Sequence, residues 1–309
     1  MKIAVMGTGA IGGYFGGRLA ASGEEVAFIA RGAQLQALQT RGLALKSAIG
    51  DLHLPEVRAT DDPKTIGPVD LVLFMVKQFD TASAAAMAKP LLGAATTVLT
   101  FQNGIDTEDR LRKLLGAERV MEGAAYIANA AVTAPGVIAH AGTLARLVFG
   151  EADGKTSARG AAFLAACRKA GIEAELSAQI RTELWAKFAL LAAFSGVSCV
   201  TRQPIGPILA EPLTRDLLFD ALREAVAVAM AEGVDLGADY IEKRAAFAKL
   251  FPPDAKASML LDLEHGNRLE LDWMSGAVAR LGAAKGVPTP IHRFIYAALK
   301  LHAAGASRS

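Results

Sequence analysis

Two stretches of the chain carry residue types that could do chemistry. The first is Gly7-Thr8-Gly9-Ala10-Ile11-Gly12, with three glycines in Gly-x-Gly-x-x-Gly spacing. Such glycines let a loop turn tightly, admit a ligand against the backbone and pack a helix closely on a strand. A helix N-terminus behind the loop offers free N–H groups and a positive dipole, which suits phosphate. The second is Lys187, which interrupts the apolar stretch Leu184-Trp185-Ala186-Lys187-Phe188. A lysine there either snorkels to water or is held in a cleft with a shifted pKa, where it can hand over a proton.

The glycines need a particular setting. Lys2–Met6 reads as a short buried strand, Ile11–Ala21 as a helix stopped at Gly23, and Glu25–Ala30 as a second strand. That strand–loop–helix–strand order makes the stretch a dinucleotide fingerprint, with packing glycines in an ordinary loop as the alternative. Arg31 follows the second strand, nineteen residues after Gly12. An NAD site usually carries an acid there for the ribose 2′-hydroxyl, whereas a guanidinium can clamp a 2′-phosphate, so the pattern favours NADP over NAD. As an alternative, Arg31 is a solvated surface residue. Leu71–Val76 is apolar on both faces, as a central parallel strand requires, and ends at Lys77. Lys77 is a second cation for the phosphate or a plain strand-end lysine. Thr97–Phe101 is a further strand, followed by Gln102-Asn103-Gly104. Asn103 can reach a nicotinamide ribose or a substrate, or serve the turn.

The alternation of helices and strands continues to about residue 176. It includes helices at Gln34–Arg41, Ala82–Leu92, Thr107–Leu115 and Ser157–Lys169, and strands at Arg119–Glu122 and Ile172–Glu175. Gly136–His140 and Leu144–Phe149 suggest an antiparallel hairpin across Ala141-Gly142-Thr143. Beyond Ser177, apolar spacing predicts only helices: Glu183–Val200, Leu213–Glu232, Tyr240–Leu250, Ala257–Glu264, Asp272–Lys285 and Ile291–Ala303. The expected fold is α/β: an N-terminal Rossmann-type doubly wound sheet over 1–176, then an all-helical domain over 177–309.

Composition narrows the function classes. Of 309 residues, 52% are hydrophobic and 21% charged, with a formal net charge of +2, so no polybasic surface for nucleic acid is expected. The two cysteines, Cys167 and Cys199, make no disulfide framework and read as small core residues. The five histidines are scattered without metal-ligand spacing. The N-terminus is not of signal-peptide type, and the longest apolar run, Phe188–Val200, is too short to span a bilayer. No membrane partner and a cytoplasmic location are expected. The apolar C-terminal helices would suit a homodimer.

Taken in order, Gly7 to Gly12, Arg31, Val76-Lys77-Gln78, Gln102-Asn103-Gly104, Glu183-Leu184-Trp185-Ala186-Lys187 and Ser258-Met259-Leu260 leading to Glu270-Leu271-Asp272 resemble the ketopantoate reductase (2-dehydropantoate 2-reductase) family over essentially the whole chain. The resemblance implies NADPH-linked reduction of a 2-keto acid to a 2-hydroxy acid, foremost ketopantoate to pantoate. It implies Arg31 and Lys77 at the 2′-phosphate, Lys187 as proton donor, and Asn103 beside nicotinamide and substrate. It implies Ser258 on the substrate carboxylate and Glu270 near Lys187 and the cofactor. On residue type alone, Ser258 reads as a helix N-cap and Glu270 as a first-turn acid. The family's best-known members carry asparagines one and two turns after the lysine and one further on. This chain has Leu191, Ser195 and Ile205 there, and Leu191 and Ser195 are expected to share Lys187's helical face. A leucine cannot bind a substrate hydroxyl, so another branched 2-keto acid is one alternative. A non-catalytic NADP(H)-sensing protein is another.

Overall fold

A computed structural model of the chain describes residues 1–127 and 129–306. It forms two compact units, one of residues 1–103 and 107–180, the other of 104–106 and 181–309. The last three residues of the expected helical domain, 307–309, lie outside the described residues.

The first unit opens with β1 (Lys2–Met6), α1 (Ala10–Ala21), β2 (Glu25–Ile29) and α2 (Gly32–Arg41). It continues through β3 (Leu43–Ser47), β4 (Leu52–Leu54), β5 (Arg58–Thr60), β6 (Val69–Phe74), α3 (Thr81–Ala88), β7 (Leu92–Thr100) and α4 (Thr107–Leu115). It closes with β8 (Val120–Ile127), β9 (Ala130–Ala134), β10 (Val137–His140), β11 (Ala145–Gly150), α5 (Ala158–Lys169) and β12 (Glu173–Leu176). The main sheet runs β12-β11-β8-β7-β6-β1-β2-β5, and every pairing is parallel except β8 with β11. Successive side chains on a strand face opposite sides. Ile3 and Val5 of β1 therefore join one apolar core, with Leu71 and Leu73 of β6, while Ala4 and Met6 join the other, with Val72 and Phe74. A sheet covered on both faces explains why these strands read as unbroken apolar runs.

The expected hairpin between residues 136–140 and 144–149 is not formed. β10 instead pairs antiparallel with β9 and parallel with β3, in a second sheet ordered β4-β3-β10-β9, while β11 joins the main sheet beside β8. Gly136, at φ +80°, makes the turn from β9 into β10, so β10 forms its hairpin with the strand before it and not across Ala141-Gly142-Thr143. The predicted helix at Ala82–Leu92 ends at Ala88, where Pro90 falls in a short 3-10 turn before β7.

The second unit begins with α6 (Ile180–Thr201), whose first residue belongs to the other unit. It continues with α7 (Ile205–Ala210), α8 (Pro212–Ala231), α9 (Tyr240–Ala248), α10 (Ser258–Glu264), α11 (Ser275–Lys285) and α12 (Pro290–Leu299). With 22 residues, α6 exceeds the predicted apolar run and is long and apolar enough to cross a membrane by length and composition. Most of it is buried within the protein. The helix predicted at Asp272–Lys285 is interrupted. A 3-10 turn spans Leu271–Trp273, and Met274, at φ −106° and ψ −106°, separates it from α11. Asp272 leaves the helix to accept from Tyr296 Oη and Lys300 Nζ, both at 2.6 Å. Both cysteines are buried, which pushes their thiols up to about 12.

His292 ties α12 to α8. Its Nε2 lies 3.0 Å from the Ala221 carbonyl, and Glu224 accepts from the backbone N–H groups of Ile291 and His292 at 2.8 and 2.9 Å. Burial lowers the imidazole from 6.5 to about 4. Between those values the unfolded chain binds more protons than the fold, so stability should fall as the pH drops from about 6.5 to about 4, then level off. The histidine's share is at most about 3 kcal/mol. Glu224, raised by burial, titrates in the opposite sense and offsets part of it. Urea unfolding across this range checks the slope, which His292→Gln should flatten; an unchanged slope in that variant would assign it elsewhere.

Candidate active site

Gly7 adopts φ +102°, and a Cβ on it would lie 2.9 Å from the Met75 carbonyl carbon and oxygen. Here the loop after β1 passes against the end of β6. A Cβ on Gly12 would lie 2.1 Å from the Gly7 oxygen, too close for any side chain. A Cβ on Gly9, by contrast, would meet no atom within 4 Å. The fingerprint thus packs tightly at its two ends and is open at its middle. Gly9 stands at the N-cap of α1 without a side-chain cap, and Ala10 and Ile11 form the first turn. Their N–H groups precede the helical ladder, which leaves them available to an anion. The loop is held from behind. Thr8 Oγ1 donates to the Ile29 carbonyl at 3.1 Å, and Gln34 Nε2 donates to the Thr8 carbonyl at 3.1 Å.

The other nucleotide candidates follow neighbouring strands of the same sheet. Arg31 follows β2 at the N-cap of α2, with its side chain 67% exposed. Its contact with Asp80 is long, 3.5 Å, and both groups are in water, so it restrains the guanidinium little. Lys77 is exposed after β6, and Asn103 is half-buried after β7. Gly7, Arg31, Lys77 and Asn103 therefore stand at the carboxyl ends of four adjacent parallel strands. The chain reverses its strand order between β1 and β6, and α/β sheets bind ligands at such a point.

Two glutamines, quoted in the sequence motifs but given no role there, turn out to hold these strand ends together. Buried Gln102 donates through Nε2 to the Val76 carbonyl at 2.8 Å and to Thr81 Oγ1 at 3.0 Å. Fully buried Gln78 donates to the Asn103 carbonyl and to Thr107 Oγ1, and accepts from Arg110 at 2.9 Å. Asn103 is thus positioned through its own backbone. The only sequence signal was a long amide at each strand end.

The second group of candidates lies in the helical unit. Between Leu184 and Cys199, α6 leaves only Ala186, Lys187, Leu191 and Phe194 short of full burial. Lys187, Leu191 and Phe194 are spaced i, i+4, i+7 and form one open stripe. Ser195, expected on the same face, is 1% exposed. At 3.6 residues per turn a step of eight lies about 80° round the axis, while a step of seven lies about 20° away, so Ser195 turns inward and Phe194 takes its place. Tyr240 Oη donates to the Ala186 carbonyl at 2.5 Å, which seats α9 beside the turn that carries Lys187. Ser258 is exposed as the first residue of α10, one place after the N-cap Ala257. Glu270 is 8% exposed and stands at the N-cap of the 3-10 turn Leu271–Trp273, next to the predicted helix start at Asp272.

A glycine fingerprint at the switch point of a parallel sheet, with polar groups on the neighbouring strand ends, defines a dinucleotide-binding protein of Rossmann type. The match to known proteins is more particular. The family model described as ketopantoate reductase PanE/ApbA matches residues 3–154, and its C-terminal counterpart matches residues 179–303. The chain belongs to the ketopantoate reductase family. It is 33% identical to the 2-dehydropantoate 2-reductase of Mesorhizobium japonicum, over 94% of each chain. Among solved structures, the PanE/ApbA family ketopantoate reductase of Ralstonia eutropha has a TM-score of 0.90 at 37% identity over 98% of each chain. The 2-dehydropantoate 2-reductase of Geobacter metallireducens has a TM-score of 0.92 at 31% identity, over 97% of this chain and 99% of that one.

Proposed function

We propose that the chain is a cytoplasmic NADPH-dependent reductase that converts a 2-keto acid to the 2-hydroxy acid, with 2-dehydropantoate, the substrate named for its relatives, giving pantoate. The observation that carries the nucleotide choice is the place of Arg31, exposed at the carboxyl end of β2 where an NAD site would present an acid. The open backbone at Gly9, in front of the first turn of α1, fits a pyrophosphate. Arg31 and Lys77 would hold the 2′-phosphate, and Asn103 the nicotinamide ribose and substrate.

When bound, the nicotinamide supplies a hydride to C2 of the keto acid. Lys187 holds the carbonyl oxygen through its ammonium, stabilises the negative charge that develops there and transfers its proton to it. Glu270 favours the charged, proton-bearing lysine. The Ser258 hydroxyl, exposed at the start of α10, donates to the substrate carboxylate. Purified protein should consume NADPH when 2-dehydropantoate is added and form pantoate. A preparation that binds NADPH yet turns over no 2-keto acid would favour the NADP(H) sensor instead.

A further inference from the structure

The open stripe of α6 does not end at Leu191. Phe194 continues it, and its ring is stacked on Phe251, with centroids 6.4 Å apart and planes at 15°. Phe247, 36% exposed on α9, meets Phe251 edge-on at 5.1 Å. Arg244, one turn before Phe247, places its guanidinium over the rings of Tyr240 and Phe247, at 5.2 and 5.3 Å. Since Tyr240 is bonded to the Ala186 carbonyl and Phe251 lies against Phe194, α9 and the segment after it run alongside the Lys187 stripe. Starting at the lysine, Leu191 comes about 6 Å further along the helix axis and Phe194 about 10 Å.

We propose that this stripe selects the substrate side chain, and that the ligands it takes best are 2-keto acids with an aromatic or long apolar side chain. The inference rests on the reductase reading above, because it takes Lys187 as the group that holds the carbonyl oxygen. From that anchor the side chain must run along whatever the stripe offers. It meets an aliphatic side chain, then half-buried aromatic rings, and the one hydroxyl of the adjoining turn, on Ser195, is buried. Rings prefer offset or edge-on partners at such distances, and apolar surface leaving water favours binding roughly in proportion to its area. A short branched side chain would extend about as far as Leu191, whose aliphatic side chain offers a terminal hydroxyl no hydrogen bond. Arg244 could favour a different class, because its Nε is buried without a hydrogen bond and a second carboxylate would be a counter-ion. Its guanidinium is already flanked by two rings, and Leu191, Phe194, Phe247 and Phe251 beside it are apolar, so the ring-bearing acid is the better fit.

The test is kcat/KM with NADPH for pyruvate, 2-dehydropantoate, phenylpyruvate and 2-ketoglutarate, in the wild type, Phe194→Ala and Phe194→Leu. Phenylpyruvate should be used at least as well as 2-dehydropantoate by the wild type. The ratio of phenylpyruvate to pyruvate should fall about tenfold in Phe194→Ala and recover in part in Phe194→Leu, within the range an apolar pocket can discriminate. Taking that ratio within one preparation cancels any loss of folded enzyme. A preference for 2-dehydropantoate of about a hundredfold or more would overturn the proposal while leaving the reductase reading intact, and so would an unchanged ratio in Phe194→Ala. If 2-ketoglutarate is the best substrate, Arg244 selects an anion and the apolar reading is wrong. If no 2-keto acid is reduced, the reductase reading fails and this inference fails with it.

Discussion

Replacing Lys187 with alanine should lower kcat by about 10²–10⁴ and leave NADPH affinity nearly unchanged, since a positioned proton donor is worth that much and the nucleotide candidates lie in the other unit. The prediction follows from the lysine's setting. Most of α6 is buried, and Lys187 stands on the open stripe of its middle, in the turn that Tyr240 seats through the Ala186 carbonyl. The alanine variant, analysed under single-turnover conditions, separates chemistry from binding. Poor NADPH binding at near-normal kcat would make Lys187 a nucleotide ligand instead.

Arg31→Ala should weaken NADPH binding by about ten- to a hundredfold and leave NADH almost unaffected. A hydrogen bond to a charged group contributes roughly 1.5–3 kcal/mol, and tenfold corresponds to about 1.4 kcal/mol. Removing the guanidinium costs the fold little in itself, because Arg31 is exposed and its ion pair with Asp80 is a long contact in water. The loss should therefore appear in affinity, not in stability. Titration of both nucleotides against wild type and variant checks this. Equal losses for NADPH and NADH would show that Arg31 does not read the 2′-phosphate.

Much of the nucleotide-binding unit was legible because its sheet is covered on both faces. Ile3–Met6, Val26–Ile29 and Leu71–Phe74 are continuous apolar runs in β1, β2 and β6, β7 ends in a buried stretch, and each strand is followed by a glycine, a charge or an amide, so both kinds of signal are local. The second sheet was illegible for the opposite reason. β9 is largely exposed, β4 has three residues, and β3 pairs with β10 across 93 residues, from Ala44 to Val137. No local pattern reports such a pairing. In the helical unit the longer helices were readable from apolar spacing, but not the six-residue α7, nor the break at Met274, beside which Asp272 is held by Tyr296 and Lys300. The face of α6 was legible for one turn only. Stepping by four from Lys187 reached Leu191 correctly and then drifted to Ser195, while the true stripe closes with a step of three to Phe194. The aromatic neighbours of Phe194 come from a segment more than fifty residues away, which spacing along one helix cannot show.

In the proposed reaction a hydride passes from NADPH to C2 of a 2-keto acid held at Lys187. The most direct measurement is a single turnover with NADPH deuterated at the transferring carbon and 2-dehydropantoate as acceptor, read by mass spectrometry of the product. The expected product is pantoate carrying one deuterium at C2, with an equal amount of NADP formed. Unchanged NADPH in the presence of bound 2-keto acid, or pantoate without the label, would contradict it.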